Sequence, residues 1–266
     1  MHNHIRRWLA VAGSVSLLIA PLAGHAATLV TSQFNAGDLI KGTSNATVYY
    51  FAPTGKRFVF PNEKTYFTWY TDFSKVITIS DYQLSTIPLG GNVTYKPGRK
   101  MVKVTTDPKT YVVDQGGVLR WVKSEELAQT LYPVNWKNQI DDLPDAFFVN
   151  YRTGTPIDMA ADFHPADVTT ATPDIMTDKQ MDKNKITVTI GNVNTGFVPS
   201  TMTIKVGTQV TWTNGDIVTH DVTGSGWNSG TLNPMQTYVR TFNSAGSFDY
   251  KDSSHAAMQG TINVVQ

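Results

Sequence analysis

Near the C-terminal end, His220 and the run Asp252-Ser253-Ser254-His255-Ala256-Ala257-Met258 offer residue types that bind metals: imidazoles, a carboxylate and a thioether. The 266-residue chain has no cysteine, which removes thiolate metal sites and Cys nucleophiles from consideration. Serine, histidine and aspartate recur along the chain, but no nucleophile elbow or oxyanion motif frames them. His164, flanked by Asp162 and Asp167, lies in a stretch read as a linker, a poor support for a catalytic base. No phosphate-binding loop or dinucleotide fingerprint is present. No catalytic residue is assigned, and the chain reads as a binding protein rather than an enzyme, with weak redox activity left open.

The elements that must position these residues are strands. Ile186–Ile190 alternates apolar and polar side chains, and Met202–Val206 follows a turn at Pro199. Gly207 turns the chain into Gln209–Thr213; Tyr238–Phe242, Gly246–Tyr250 and Gly260–Val265 follow. Short strands at this spacing, separated by Gly and Asn turns, predict a β-sandwich over 184–266.

Ordered pieces of this stretch carry a more specific signal. They are Phe197-Val198-Pro199, Val206 through Asn214, Asp216 and His220, Asn228 through Leu232, Thr241-Phe242, Gly246 through Tyr250, and His255-x-x-Met258-x-Gly260. In these the region resembles a cupredoxin of the plastocyanin and amicyanin type. The resemblance implies a Greek-key sandwich with a mononuclear copper site at one end. His220 takes the place of the first ligand, and His255 and Met258 take theirs in the loop between the last two strands. The family's cysteine is replaced by Asp252, and Ala256 stands where a proline often follows the loop histidine. Two imidazoles and a carboxylate suit Cu(II) or Zn(II) and disfavour Cu(I). The resemblance therefore implies a non-blue Cu(II) site at His220, Asp252, His255 and Met258, with zinc as the other candidate and electron transfer weakened. Asp221 is expected on the opposite face in solvent by strand alternation; if the strand has ended, it becomes a partner of the site. A sandwich without metal, serving as a spacer, is the competing reading.

Further upstream, residues 1–26 read as a secretory signal: Arg6 and Arg7, an apolar stretch from Trp8 to Ala23, then Gly24-His25-Ala26. The expected location is outside the cytoplasm (extracellular, cell surface or periplasmic), with no membrane span after cleavage. Loss of Arg6 and Arg7 leaves 20 of the 22 basic residues against 21 acidic ones, so no basic stripe suits nucleic acid. The expected partners are a metal ion and a cell-envelope component or surface protein.

Residues 27–155 predict an α+β domain made of two hairpin-plus-helix repeats. Val48–Phe51, a Gly55 turn and Arg57–Phe60 match Thr110–Val113, a Gly116-Gly117 turn and Leu119–Val122. Tyr49 lies 62 residues before Tyr111, and Ile79-Ser80-Asp81 lies 61 before Ile140-Asp141-Asp142. Asn62 and Ser124 each open a short helix. Leu89 through Tyr95 reads as the connection between copies. The region resembles segments of uncharacterised exported bacterial proteins, which implies location and no chemistry. Its aromatics (Tyr49, Phe58, Tyr66, Trp69, Tyr111, Trp121, Trp136) suit core packing better than a sugar-stacking face. Residues 156–183, aperiodic and poor in aromatics, read as a linker.

Overall fold

A computed structural model describes residues 34–266; the expected signal, residues 1–26, lies outside them. In the first repeat unit, β1 (Leu39–Lys41), β2 (Tyr49–Phe51) and β3 (Arg57–Val59) form an antiparallel meander. Helix α1 (Glu63–Trp69) leads to β4 (Val76–Thr78), parallel to β1, and α2 (Asp81–Ser85) leads to β5 (Leu89–Asn92), parallel to β3. The second unit repeats this plan. Strands β6 (Met101–Val104), β7 (Thr110–Asp114) and β8 (Val118–Val122) form the meander. Helix α3 (Glu125–Leu131) leads to β9 (Ile140–Leu143), parallel to β6, and α4 (Asp145–Phe148) leads to β10 (Arg152–Thr153), parallel to β8. Both sheets thus place the meander at the centre and the two crossover strands at the edges.

Local chemistry sets these elements. The Asn62 and Ser124 side chains accept from the N–H groups of Thr65 (2.8 Å) and Leu127 (3.2 Å), capping α1 and α3 as their position in the sequence predicts. Gly116 and Gly117 sit at φ +70° and +69°, the left-handed pair that a tight hairpin between β7 and β8 requires. Two expectations need correcting. Ile79 precedes α2 as Leu143 precedes α4, both buried, so Ile79-Ser80-Asp81 does not correspond to Ile140-Asp141-Asp142. Leu89–Asn92 is not a bare connection but the edge strand of the first sheet.

The segment 156–183 also differs from a linker. It carries α5 (Pro165–Ala171) and α6 (Ile175–Asp178), and three isolated apolar side chains anchor it. Ile157 and Phe163 enter the core under α3, and Ile175 enters the core behind β1–β3. Its aperiodic pattern hid this, because single plugs leave no helical or strand period. Asp178 is buried and accepts from the Gly116 N–H at 2.8 Å, which ties the segment to the hairpin turn. Of the aromatics read as core, Phe58, Tyr66 and Tyr111 are buried, whereas Tyr49, Trp69, Trp121 and Trp136 are half-buried.

Residues 185–265 form two facing sheets. One holds β11 (Lys185–Ile190), β12 (Phe197–Val198), β14 (Thr208–Asn214) and β17 (Thr237–Phe242); the other holds β13 (Thr201–Lys205), β15 (Thr223–Gly224), β16 (Trp227–Asn228), β18 (Gly246–Lys251) and β19 (Gln259–Val265). Inward positions alternate as a strand demands: Ile186, Val188 and Ile190 on β11, Val210 and Trp212 on β14, Ile262 and Val264 on β19. Trp212 is fully buried at the centre, edge-on to Tyr250 with ring centroids 5.3 Å apart. Tyr250 lies over Gly260, its cross-strand partner; a Cβ there would come within 2.3 Å of the tyrosine ring.

The sandwich is docked on the first repeat unit. Val198 completes a core with Phe34, Ile40, Phe51 and Ile79. The Thr187 N–H on β11 donates to Pro53 O at 2.6 Å, and the Thr203 N–H donates to the Asn35 side chain at 2.9 Å.

Truncating an anchor of 156–183 tests its packing. Phe163→Ala is expected to cost about 3–5 kcal/mol in urea unfolding of the mature chain, the usual penalty for deleting a buried ring. A loss under about 0.5 kcal/mol, typical of surface changes, would return the segment to a linker.

Candidate metal centre

One end of the sandwich is built from two chain segments. The first leaves β14 at Asn214, whose buried amide donates to Val218 O and Leu232 O at 2.8 Å each. It thereby pins the loop leading to His220. The His220 main chain then pairs with Leu232 in both directions, at 3.1 and 2.7 Å. This short bridge fixes the backbone of His220 and turns its side chain inward, with no exposed surface.

The second segment follows β18. It begins at Asp252, whose N–H donates to Met258 O (3.1 Å), while the Met258 N–H donates to His255 O (2.8 Å). The loop is therefore closed at its base by its own main chain. The two oxygens of Asp252 divide the work. Oδ1 accepts from the N–H groups of Ser254 (2.7 Å) and His255 (3.2 Å), an Asx-type turn that shapes the loop. Oδ2 faces both imidazoles, 2.6 Å from His220 Nδ1 and 3.0 Å from His255 Nδ1.

Asp252 is fully buried, as is the His220 side chain, whereas the His255 side chain is 31% exposed. Burial pushes the Asp252 carboxyl up, but hydrogen bonds from both imidazoles and from Ser254 outweigh it and hold the pKa at about 2. The group is an anion across the ordinary pH range. His220 Nε2 lies 3.2 Å from Asp216 Oδ2. With a proton on Nε2 facing that carboxylate, a metal that displaced the Nδ1 hydrogen bond to Asp252 would find the Nδ1 lone pair directed at the space shared with Asp252 and His255. One nitrogen from each imidazole and one carboxylate oxygen lie within 4.8 Å of one another. This donor set, anionic and partly closed to water, fits a small divalent cation.

Three of the four expected site residues, His220, Asp252 and His255, are brought together at this end. Met258 comes from the same loop, and its side chain is buried in the sandwich core. Asp221 corrects the expectation of a solvated face. Its carboxylate accepts from the Ser253 N–H at 2.7 Å and the Ser253 hydroxyl at 2.9 Å, so it clamps the loop beside Asp252. Regular strand structure has ended before His220, which is why alternation misplaced it. Asp216 was not singled out as a site residue, although its position four residues before His220 was the available signal. His164 is exposed, and the neighbouring Asp162 accepts from the N–H groups of Asp158 and Met159 instead.

No family model matches the chain. Amicyanin of Paracoccus versutus is 30% identical over 82 residues, 28% of this chain and 62% of the relative. Amicyanin-alpha of Methylorubrum extorquens is 38% identical over 66 residues, 22% of this chain and 56% of the relative. The chain thus spans about three fifths of the length of these relatives. Among solved structures, a purple cupredoxin from Nitrosopumilus maritimus is 30% identical, covering 30% of this chain and 98% of that one, with a TM-score of 0.28. The two amicyanin matches, with the paired sheets that carry the site, lead to one conclusion: the chain ends in a cupredoxin-like domain.

Proposed function

We propose that the protein is exported and binds one divalent metal ion, Cu(II) ahead of Zn(II), through His220 Nδ1, Asp252 Oδ2 and His255 Nδ1, with the Met258 thioether as a weak fourth donor. The observation that carries this reading is the convergence of both Nδ1 atoms on a single buried carboxylate oxygen. The relatives' copper chemistry enters as support: the sandwich matches proteins named amicyanin. Export rests on Arg6, Arg7 and the apolar stretch that follows. No helix of the described residues is long and apolar enough to cross a membrane.

Bound there, copper supplies a one-electron couple and zinc a fixed positive charge. The chain's own residues do the rest. Asp216 faces His220 Nε2 at 3.2 Å, Asp252 Oδ1 and Asp221 fix the loop, and His255 lies on the exposed side. A hard carboxylate in place of a thiolate favours the oxidised ion, so the reading is copper binding or handling rather than fast electron transfer. The competing reading, a metal-free spacer, has one observation in its favour: Asp252 Oδ2 already accepts hydrogen bonds from both imidazoles.

Metal analysis of the mature chain separates the two. After dialysis against Cu(II) or Zn(II), one ion per chain is expected to remain, with a higher melting temperature and no intense visible band. Absence of retained metal, with melting indifferent to either salt, favours the spacer. Asp252→Cys loaded with Cu(II) is expected to become intensely coloured through thiolate-to-copper charge transfer; a colourless, folded variant would mean the three remaining donors are misplaced.

Two further variants probe the frame. His220→Ala leaves the buried Asp252 charge short of a partner, and is expected to cost the metal-free chain about 3–5 kcal/mol in denaturant melts. Asp221→Ala frees Ser253, and is expected to weaken metal binding about tenfold through the loss of hydrogen bonds to a charged group. An unchanged affinity would remove Asp221 from the support of the site.

A further inference from the structure

The two repeat units share a topology but not an interior. Helices α1 and α3 each span seven residues after their N-caps, Asn62 and Ser124, so Tyr66 and Ala128 occupy the same helical position. Tyr49 pairs with Val59 as Tyr111 pairs with Trp121, which makes Phe60 and Val122 equivalent as well. In the first unit the Tyr66 ring is buried, stacked on Phe73 at 4.4 Å and edge-on to Phe60 at 5.1 Å. In the second unit the smaller Ala128 and Val122 take those places, both buried in the core beneath a surface cleft. A cleft of about 660 Å³ lies there, bordered by Ala128 and Val122 and walled by the half-buried Trp121 and Trp136. That volume is in the usual range for a small-ligand site.

The wall chemistry also diverges between units. Trp121 stands where the first unit has Val59. Trp136 precedes β9 as Phe73 precedes β4, yet no aromatic ring packs on it among the described residues. Four lysines line the cleft: Lys103, Lys109, Lys123 and Lys137. The ammonium groups of Lys109 and Lys123 lie over the Trp121 ring, at 5.2 and 6.0 Å, and Lys137 lies over Trp136 at 5.4 Å. Lys103, Lys109 and Lys123 have carboxylates near them, Asp142, Asp107 and Asp158, in exposed pairs of the kind that exchange readily with other anions. Lys137 has no carboxylate partner among the described residues.

We propose that this cleft binds a glycan whose pyranose rings carry carboxylates. A pyranose ring presents C–H groups that suit the faces of Trp121 and Trp136 once the lysine ammonium groups over them turn aside. Its carboxylate meets the lysine rim, and its hydroxyls donate to Asp142 and Glu125, which line the same cleft.

Calorimetric titration of the mature chain with a polygalacturonate hexasaccharide tests this, with a neutral glucan hexasaccharide and a thymidine oligonucleotide alongside. Saturable binding of the uronate that weakens with salt is expected, with Trp136→Ala and Lys137→Glu each reducing affinity about tenfold. The proposal is overturned by no uronate binding, by equal binding of the neutral glucan, by tighter binding of the oligonucleotide, or by unchanged binding in Trp136→Ala and Lys137→Glu.

Discussion

A carboxylate taken out of water loses several kcal/mol of solvation, and a site that holds one must return most of it through aimed donors or an ion. The end of the sandwich that carries Asp252 is organised around that requirement. Each oxygen of Asp252 has its own donors: main-chain N–H groups on one, imidazole nitrogens on the other. Asn214, Leu232 and Asp216 hold His220 in place, while Asp221 and the loop's own main chain hold the other side. The frame around the position is complete without reference to what sits between the ligands. A change of ligand type at 252 can therefore alter the preferred ion while leaving the fold unaltered.

Much of this was legible in the sequence, and the parts that were not share a cause. Regular alternation exposed the six longer strands of the sandwich, and the ordered run from Phe197 to Gly260 placed His220, Asp252 and His255 at one end. The two-residue strands β12, β15 and β16 left no period to read. Asp221 was misplaced for the same reason, because alternation was extended past the point where the strand stops. The segment 156–183 shows the limit most clearly. Ile157, Phe163 and Ile175 each stand beside an aspartate and recur with no helical or strand period, so only the tertiary structure reveals that each fills a gap. The N-caps at Asn62 and Ser124, by contrast, were readable because one side chain and one N–H three residues on are sufficient to define them.

The duplicated units show how one backbone plan tolerates two interiors. The first unit is closed by a cluster of rings around Tyr66; the second has the smaller Ala128 in that place and carries half-buried Trp121 and Trp136 along a surface cleft. Packing of Phe163 from the downstream segment supports the second unit where its own helix contributes only Ala128 and leucines.

The hydrogen bond from Thr187 to Pro53 has a consequence for how the sandwich exists in the cell. Strand β12 covers only Thr189 and Ile190 of β11, so the remainder of β11 is an open sheet edge, the kind of surface that recruits other strands. The first repeat unit caps that edge with a main-chain carbonyl and seals it with the core around Val198. Cut free, residues 184–266 would expose both an unpaired strand and an apolar patch, and would be prone to self-association. The first repeat unit therefore shields an edge and an apolar patch of the sandwich that would otherwise be open.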